Sequence, residues 1–172
     1  MIIKSVPTMR PQDILVLLKI NLMEDQKWTQ IDLAQALFMS QSEISASLKR
    51  STYSKLLYEK GRKVQRPLLM KFIQYGLPFS FPQQPGPVLR GIPTAHSAPP
   101  LKEEILSDTV YVWPSSKGKV RGQSIQPLYP SVGEAILVDQ QLYELLALID
   151  AVRIGRARER NLALDILNQR LS

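Results

Sequence analysis

Gln41, Ser42, Ser45, Ala46 and Lys49 are the residues whose types and spacing suggest chemistry, and that chemistry is hydrogen bonding rather than bond making. Ile44 and Leu48 are one turn apart and set the inward direction of a helix. At 100° per residue the five then lie on its outward side or exposed first turn, with Arg50 beside them. Glutamine can bond adenine, lysine and arginine reach guanine or phosphate, and serine and alanine let a helix come close to a groove. The groups that could make or break bonds are less well arranged. His96, Ser97 and Asp108 offer the members of a nucleophilic triad. Adjacent residues on an extended segment point to opposite sides, however, and no G-x-S-x-G elbow occurs. Glu103 and Glu104 are loop neighbours, better read as solvated than as a paired acid and base. With no cysteine and one histidine, thiolate metal sites, a cysteine nucleophile and a histidine-rich metal site are excluded. Both glycine-rich phosphate loops are missing. We therefore expect no catalytic residues, no metal and no cofactor.

A hydrogen-bonding face of this kind needs a helix pair to aim it. Thr29 with Asp32, and Ser40 with Glu43, repeat the spacing of a capping box, so two helices start within residues 28–51. Leu33 and Leu37 form an inward stripe on the first, as Ile44 and Leu48 do on the second. The tight Leu37-Phe38-Met39 turn forces a steep crossing, and Ala34 is small enough to face it.

This helix-turn-helix stretch resembles the DNA-binding helices of bacterial winged-helix regulators of the MarR and ArsR types. The resemblance is carried by LAQAL, the turn and SQSEIS..LKR. It implies a cytoplasmic transcriptional regulator that binds double-stranded DNA sequence-specifically as a homodimer. Gln41, Ser42, Ser45, Ala46 and Lys49 would read base edges in the major groove, and Thr29, Ser40, Arg50, Lys55, Arg62, Lys63 and Arg90 would hold phosphates. Phe38 stands where the turn usually has glycine, so the backbone there avoids the left-handed conformation or accepts strain, or the ring is a buried anchor. GIPTAHSAPPL and YELLALIDAVRIGRARER are also similar to stretches of bacterial regulators without an assigned function.

The net charge of +7 is concentrated near this stretch. Residues 1–75 carry twelve basic and six acidic side chains, and residues 131–172 carry five and six. After the second helix, Lys55, Lys60, Arg62, Lys63, Arg66 and Lys71 have only Glu59 as a nearby counter-charge in sequence, which favours a polyanion.

We expect an α+β, mainly α chain in three parts. Residues 1–76 form the helix-turn-helix part, beginning with a helix over Pro11 to Glu24. Its run of Ile14, Leu15, Val16, Leu17, Leu18, Ile20 and Leu22 is apolar on more than one side and needs a second surface, either the C-terminal helices or another copy. YEKGRKV reads as a minimal hairpin turning at Lys60-Gly61 or as a loop, and a helix follows over Gln65 to Tyr75. Residues 77–130 hold ten of the thirteen prolines. Leu77, Phe79 and Phe81 alternate as a strand, Val88 to Ile92 returns as its partner, and we place the wing here with Arg90 on it. Thr109 to Trp113 and Lys119 to Ile125 form a second strand pair, with Lys117, Lys119 and Arg121 as a small basic spot. Residues 131–172 return to helix over Val132 to Val138, Asp139 to Ile154 and Arg156 to Leu171, for packing or dimerisation.

No leader segment or membrane span is expected. The alternative reading is a protein-interaction module or antitoxin-like subunit, with the helix-turn-helix as scaffold. Replacing Lys49 and Arg50 by alanine separates that reading from the regulator. RNA binding is a third reading, although Trp28, Tyr53 and Tyr58 form no recognisable stacking platform.

Overall fold

A helix that is apolar on every side must be enclosed, and Ile14 through Leu18 and Ile20 have no solvent exposure. The computed structural model of the chain describes residues 4–58, 60 and 62–172 and shows a mixed α+β molecule, mainly helical. Helix α1 (Pro11–Leu22) starts on a proline, which is tolerated there because a first-turn N–H has no intrahelical partner. It packs on α2 (Gln30–Leu37) and α3 (Gln41–Tyr53), and also on α7 (Gln140–Ile154). The second surface that α1 requires therefore comes from the C-terminal helices of the same chain. Each fully buried aliphatic side chain contributes roughly 1.5–3 kcal/mol relative to exposure, which makes α1 the centre of the core. Lys19 Nζ reaches Asp139 Oδ2 at 2.6 Å, and Asp139 Oδ1 accepts from Leu142 N at 2.9 Å to cap α7. One carboxylate thus starts α7 and ties it to α1.

Helix α3 ends at Tyr53, and Lys55 follows in the left-handed region at φ 61°. Of the two readings of YEKGRKV, the described residues support the hairpin. Leu57 and Val64 form an antiparallel bridge, Tyr58 N donates to Lys63 O at 3.0 Å, and Gln65 N donates to Leu56 O at 2.9 Å. Glu59 and Gly61, expected as counter-charge and turn residue, lie outside the described residues. Helix α4 (Arg66–Tyr75) then packs on α8 (Ala157–Leu171).

The strand expected at Leu77 to Phe81 is instead the short helix α5 (Leu77–Ser80). Leu77 is fully buried, Phe81 is half-buried and Phe79 is 82% exposed, so the inward pair has helical spacing, and Pro78 sits in a first turn that tolerates it. The wing expected over 77–92 is accordingly absent. Strand β1 (Val88–Pro93) pairs antiparallel along its first half with β3 (Val120–Ser124), Val88 opposite Gln123 through Gly91 opposite Val120. Along its second half it pairs antiparallel with β2 (Tyr111–Pro114), Gly91 opposite Pro114 through Pro93 opposite Val112. The expected β2–β3 hairpin does not form. These strands run parallel to each other, Tyr111 opposite Gln123, and the three close into a small barrel. A Cβ on Gly91 would lie 2.0 Å from Trp113 O, so closure needs bare backbone there.

The barrel is pinned to α7 by a buried polar knot. Asp150 Oδ2 accepts from Thr94 Oγ1 and from Trp113 Nε1, both at 2.7 Å, while Oδ1 accepts from Arg153 Nη1 at 2.9 Å. Arg153 Nε donates to Phe81 O at 2.9 Å, and Tyr143 OH donates to Pro93 O at 2.7 Å. Burial raises the Asp150 carboxyl, Arg153 opposing, and pushes the Tyr143 phenol up to about 12. Behind the knot, α6 (Val132–Ala135), α7 and α8 complete the C-terminal part. The buried apolar residues form one continuous cluster from Ile14 to Leu171, shared by segments 1–76, 77–130 and 131–172. Among the described residues, no helix is long and apolar enough to cross a membrane.

Candidate nucleic-acid interface

The α2–α3 pair starts from its caps. Thr29 Oγ1 accepts from Asp32 N at 3.2 Å, and Asp32 Oδ2 accepts from Thr29 Oγ1 at 2.8 Å and Thr29 N at 2.7 Å. These bonds hold the exposed Asp32 carboxyl below its usual range, the threonine hydroxyl contributing most. The second expected box closes on one side only. Ser40 Oγ accepts from Glu43 N at 3.2 Å, but the Glu43 carboxylate turns away to accept from Gln12 Nε2 at 3.1 Å and Arg50 Nη2 at 2.8 Å. Between the helices Phe38 adopts φ 53° and ψ 42°. The turn therefore accepts the left-handed conformation without glycine, and the ring is 53% exposed rather than a buried anchor. Ala34 is buried at the crossing as its size allows.

Arg50 departs most from expectation. Helical spacing places it outward, toward phosphate, yet its guanidinium turns back onto α1, donating from Nη2 to Asp13 Oδ1 at 2.7 Å and from Nε to Asp13 Oδ2 at 2.9 Å. Asp13 is fully buried and also accepts from Arg10 N at 2.8 Å. Arginine suits the place because its planar fork satisfies a carboxylate with two parallel bonds. The pairing raises the Arg50 guanidinium further above its usual range and holds Glu43 below its own. Ser47 and Ser51, one turn apart and also fully buried, extend this inner face with small side chains. The sequence carried a sign of the pairing: Asp13 is a charged residue directly before the continuous apolar run Ile14 to Leu18, where a buried carboxylate requires a partner.

With Arg50 withdrawn, the outer face of α3 holds Gln41, Ser42 and Lys49, all exposed, with Ser45 and Ala46 half-buried behind them. Ser42 Oγ shares a 3.1 Å hydrogen bond with Ser40 Oγ, and the side chains of Gln41 and Lys49 make no hydrogen bond or ion pair among the described residues. Beside α3, the 57–64 hairpin is held by Arg62, whose guanidinium lies 5.0 Å over the Trp28 ring and whose Nη1 donates to Trp28 O. Lys63 Nζ is 3.5 Å from Glu24 Oε1, and Arg66 Nη2 is 2.5 Å from Glu24 Oε2. Glu24, 35 residues before Glu59, is thus a counter-charge that linear proximity concealed. Lys55 and Lys60 are exposed. Between α3 and the hairpin runs an open groove of about 480 Å³, lined by Trp28, Ser45, Lys49, Tyr53, Lys60 and Arg62.

The remaining residues lie elsewhere. Arg90 is exposed on β1, directly opposite Arg121 on β3, and so belongs to the barrel rather than to a hairpin following α4. His96 Nε2 donates to Thr109 O at 2.8 Å, and Ser97 Oγ accepts from Tyr111 N at 2.9 Å, so both tie backbone together around β2. No group of three or more metal-ligating side chains occurs among the described residues. Compared with protein-family models, curated proteins and solved structures, the chain finds no match.

Proposed function

We propose that the protein is a sequence-specific DNA-binding transcriptional regulator, with α2, the Phe38 turn and α3 as a helix-turn-helix and the 57–64 hairpin in the position of a wing. The observation that carries this reading is the open groove in which the exposed Lys49 of α3 faces Lys60 and Arg62 of the hairpin. Gln41, Ser42, Ser45, Ala46 and Lys49 read bases, and Lys55, Lys60, Arg62 and Lys63 lie along phosphates, with the Thr29 and Ser40 hydroxyls at the helix starts. Arg50 holds no phosphate, since its charge is spent on Asp13 and Glu43.

One recognition helix reads few base pairs, so the regulator acts as a homodimer on half-sites roughly 34 Å apart. The apolar faces of α1 and α7 are used inside the chain. The contact between copies therefore falls to outer surface, where Tyr75 at the end of α4 and Phe79 in α5 are 69% and 82% exposed. A second reading, an interaction module for another protein, is favoured by Ile31, Phe38 and Tyr53, which are all at least 49% exposed on or beside α2 and α3.

Selection of duplexes from a random pool distinguishes these readings. A regulator enriches an inverted repeat, and Lys49→Ala weakens binding to it by about 1–3 kcal/mol with a shallower salt dependence. Absence of an enriched motif, or retention of full affinity by Lys49→Ala, removes the regulator reading. Arg50→Ala is unsuitable for this test because it strikes the core.

A further inference from the structure

The barrel carries a second concentration of positive charge, in which strand pairing adds Arg90 to the basic spot of Lys117, Lys119 and Arg121. Arg90 and Arg121 are directly opposite each other on antiparallel strands, so both side chains leave the same face within a few ångströms at their bases. Like charges placed opposite destabilise a ladder unless something neutralises them. Among the described residues, neither side chain forms an ion pair or a hydrogen bond. Closure of the barrel brings two lysines toward the same place. A Cβ on Gly118 would lie 2.0 Å from Gly91 O and 2.4 Å from Gly91 Cα, so these two backbones touch, and Ser115 N donates to Arg90 O at 3.1 Å. The neighbours of Gly118, exposed Lys117 and Lys119, are thereby carried beside Arg90. No acidic residue occurs in residues 80–102 or 109–133. Glu134 lines a depression with Lys117 but forms no ion pair with it, which leaves Arg90, Arg121 and Lys119 as the centre of the patch.

We propose that this β1–β3 face is a second phosphate-binding surface, which engages the sugar-phosphate backbone of duplex DNA independently of α3. It takes the identity of its ligand from the DNA-binding reading above, whereas the site rests on the barrel alone. Planar guanidiniums suit phosphate oxygens, and bridging phosphates relieve the repulsion built into the Arg90–Arg121 pair. The contribution is independent of base sequence, because nothing on this face is aimed at base edges through an element that enters a groove.

The experiment follows binding of the full chain to duplex DNA from 50 to 200 mM salt for the wild type, Arg90→Gln/Arg121→Gln, Arg90→Lys/Arg121→Lys and Lys49→Ala. Loss of two phosphate contacts makes the salt slope shallower by about 2, so the affinity ratio across this range falls by about tenfold in the glutamine variant. The lysine variant keeps the wild-type slope, which assigns the loss to charge rather than to a disturbed barrel. An unchanged slope in the glutamine variant, with Lys49→Ala still weakened, overturns the second surface and leaves the α3 reading standing. A shallower slope with Lys49→Ala unaffected supports the barrel surface and removes the α3 reading. No binding by the wild type at 50 mM overturns both.

Discussion

Removing the Arg50 guanidinium leaves Asp13 buried in the first turn of α1 with no counter-charge. Breaking one side of such a pair typically costs about 3–5 kcal/mol, and we expect Arg50→Ala to lose that much in chemical denaturation at neutral pH. Lys49, one position earlier, is exposed and forms no ion pair among the described residues, so Lys49→Ala should stay within about 0.5 kcal/mol of the wild type. Adjacent cations thus separate binding from stability. The pair also sets a pH response. Arg50 holds the folded Glu43 carboxyl below its ordinary value of 4.5, so its contribution is complete above that value and disappears as pH falls through the folded value. Acid titration of stability should therefore be less steep below about 4.5 in Arg50→Ala than in the wild type, and equal steepness would show that Glu43 draws nothing from Arg50.

The helices around the candidate interface were legible because their signals are local. Thr29 and Ser40 cap as their spacing requires, Leu33, Leu37 and Ile44 are fully buried, and α2 and α3 begin one residue after their caps. The strands were harder to read. Alternation identifies a strand and says nothing of its partner, so Val88 to Ile92 reads as the partner of the segment before it, whereas β1 is flanked by β2 and β3. What holds those strands to the helices is the Asp150 knot. Asp150→Ala leaves Arg153 buried without its carboxylate, and Thr94 Oγ1 and Trp113 Nε1 without their acceptor. A loss of about 3–5 kcal/mol should follow. Asp150→Asn preserves an acceptor for the threonine and the indole and should lose less. Equal losses in the two variants would mean that the charge on Arg153, rather than the barrel contacts, is what Asp150 serves.

At the scale of the molecule, one apolar cluster joins the α1–α3 layer to the barrel and the C-terminal helices. Shared burial of this kind couples the parts into one unfolding unit. The two tryptophans are placed to report on it, Trp28 under the hairpin and Trp113 in the barrel. Trp28→Phe and Trp113→Phe each leave a single reporter. Fluorescence and far-ultraviolet dichroism should trace coincident urea transitions within each variant, and a fluorescence midpoint displaced from the dichroism midpoint would reveal an independently unfolding layer. Coupling also bears on the interface, because α3 is aimed by α1, which is itself enclosed on its other side by α7.

The sequence by itself determined the helix starts, the closely spaced α2–α3 pair, the outward face of Gln41, Ser42 and Lys49, and the concentration of cations after α3. Each depends on residues within a turn or two of one another, where capping bonds and helical periodicity act directly. Tertiary structure alone decided that Arg50 is a core ion pair, that α1 spends its surplus apolar surface on α7, and that Arg90 stands against Arg121. Those outcomes join residues far apart in the chain, 37 positions in the case of Arg50 and Asp13. A buried charge takes whichever partner the packed elements bring within reach, and a strand the neighbour that closes the sheet, so neither choice is written in local spacing.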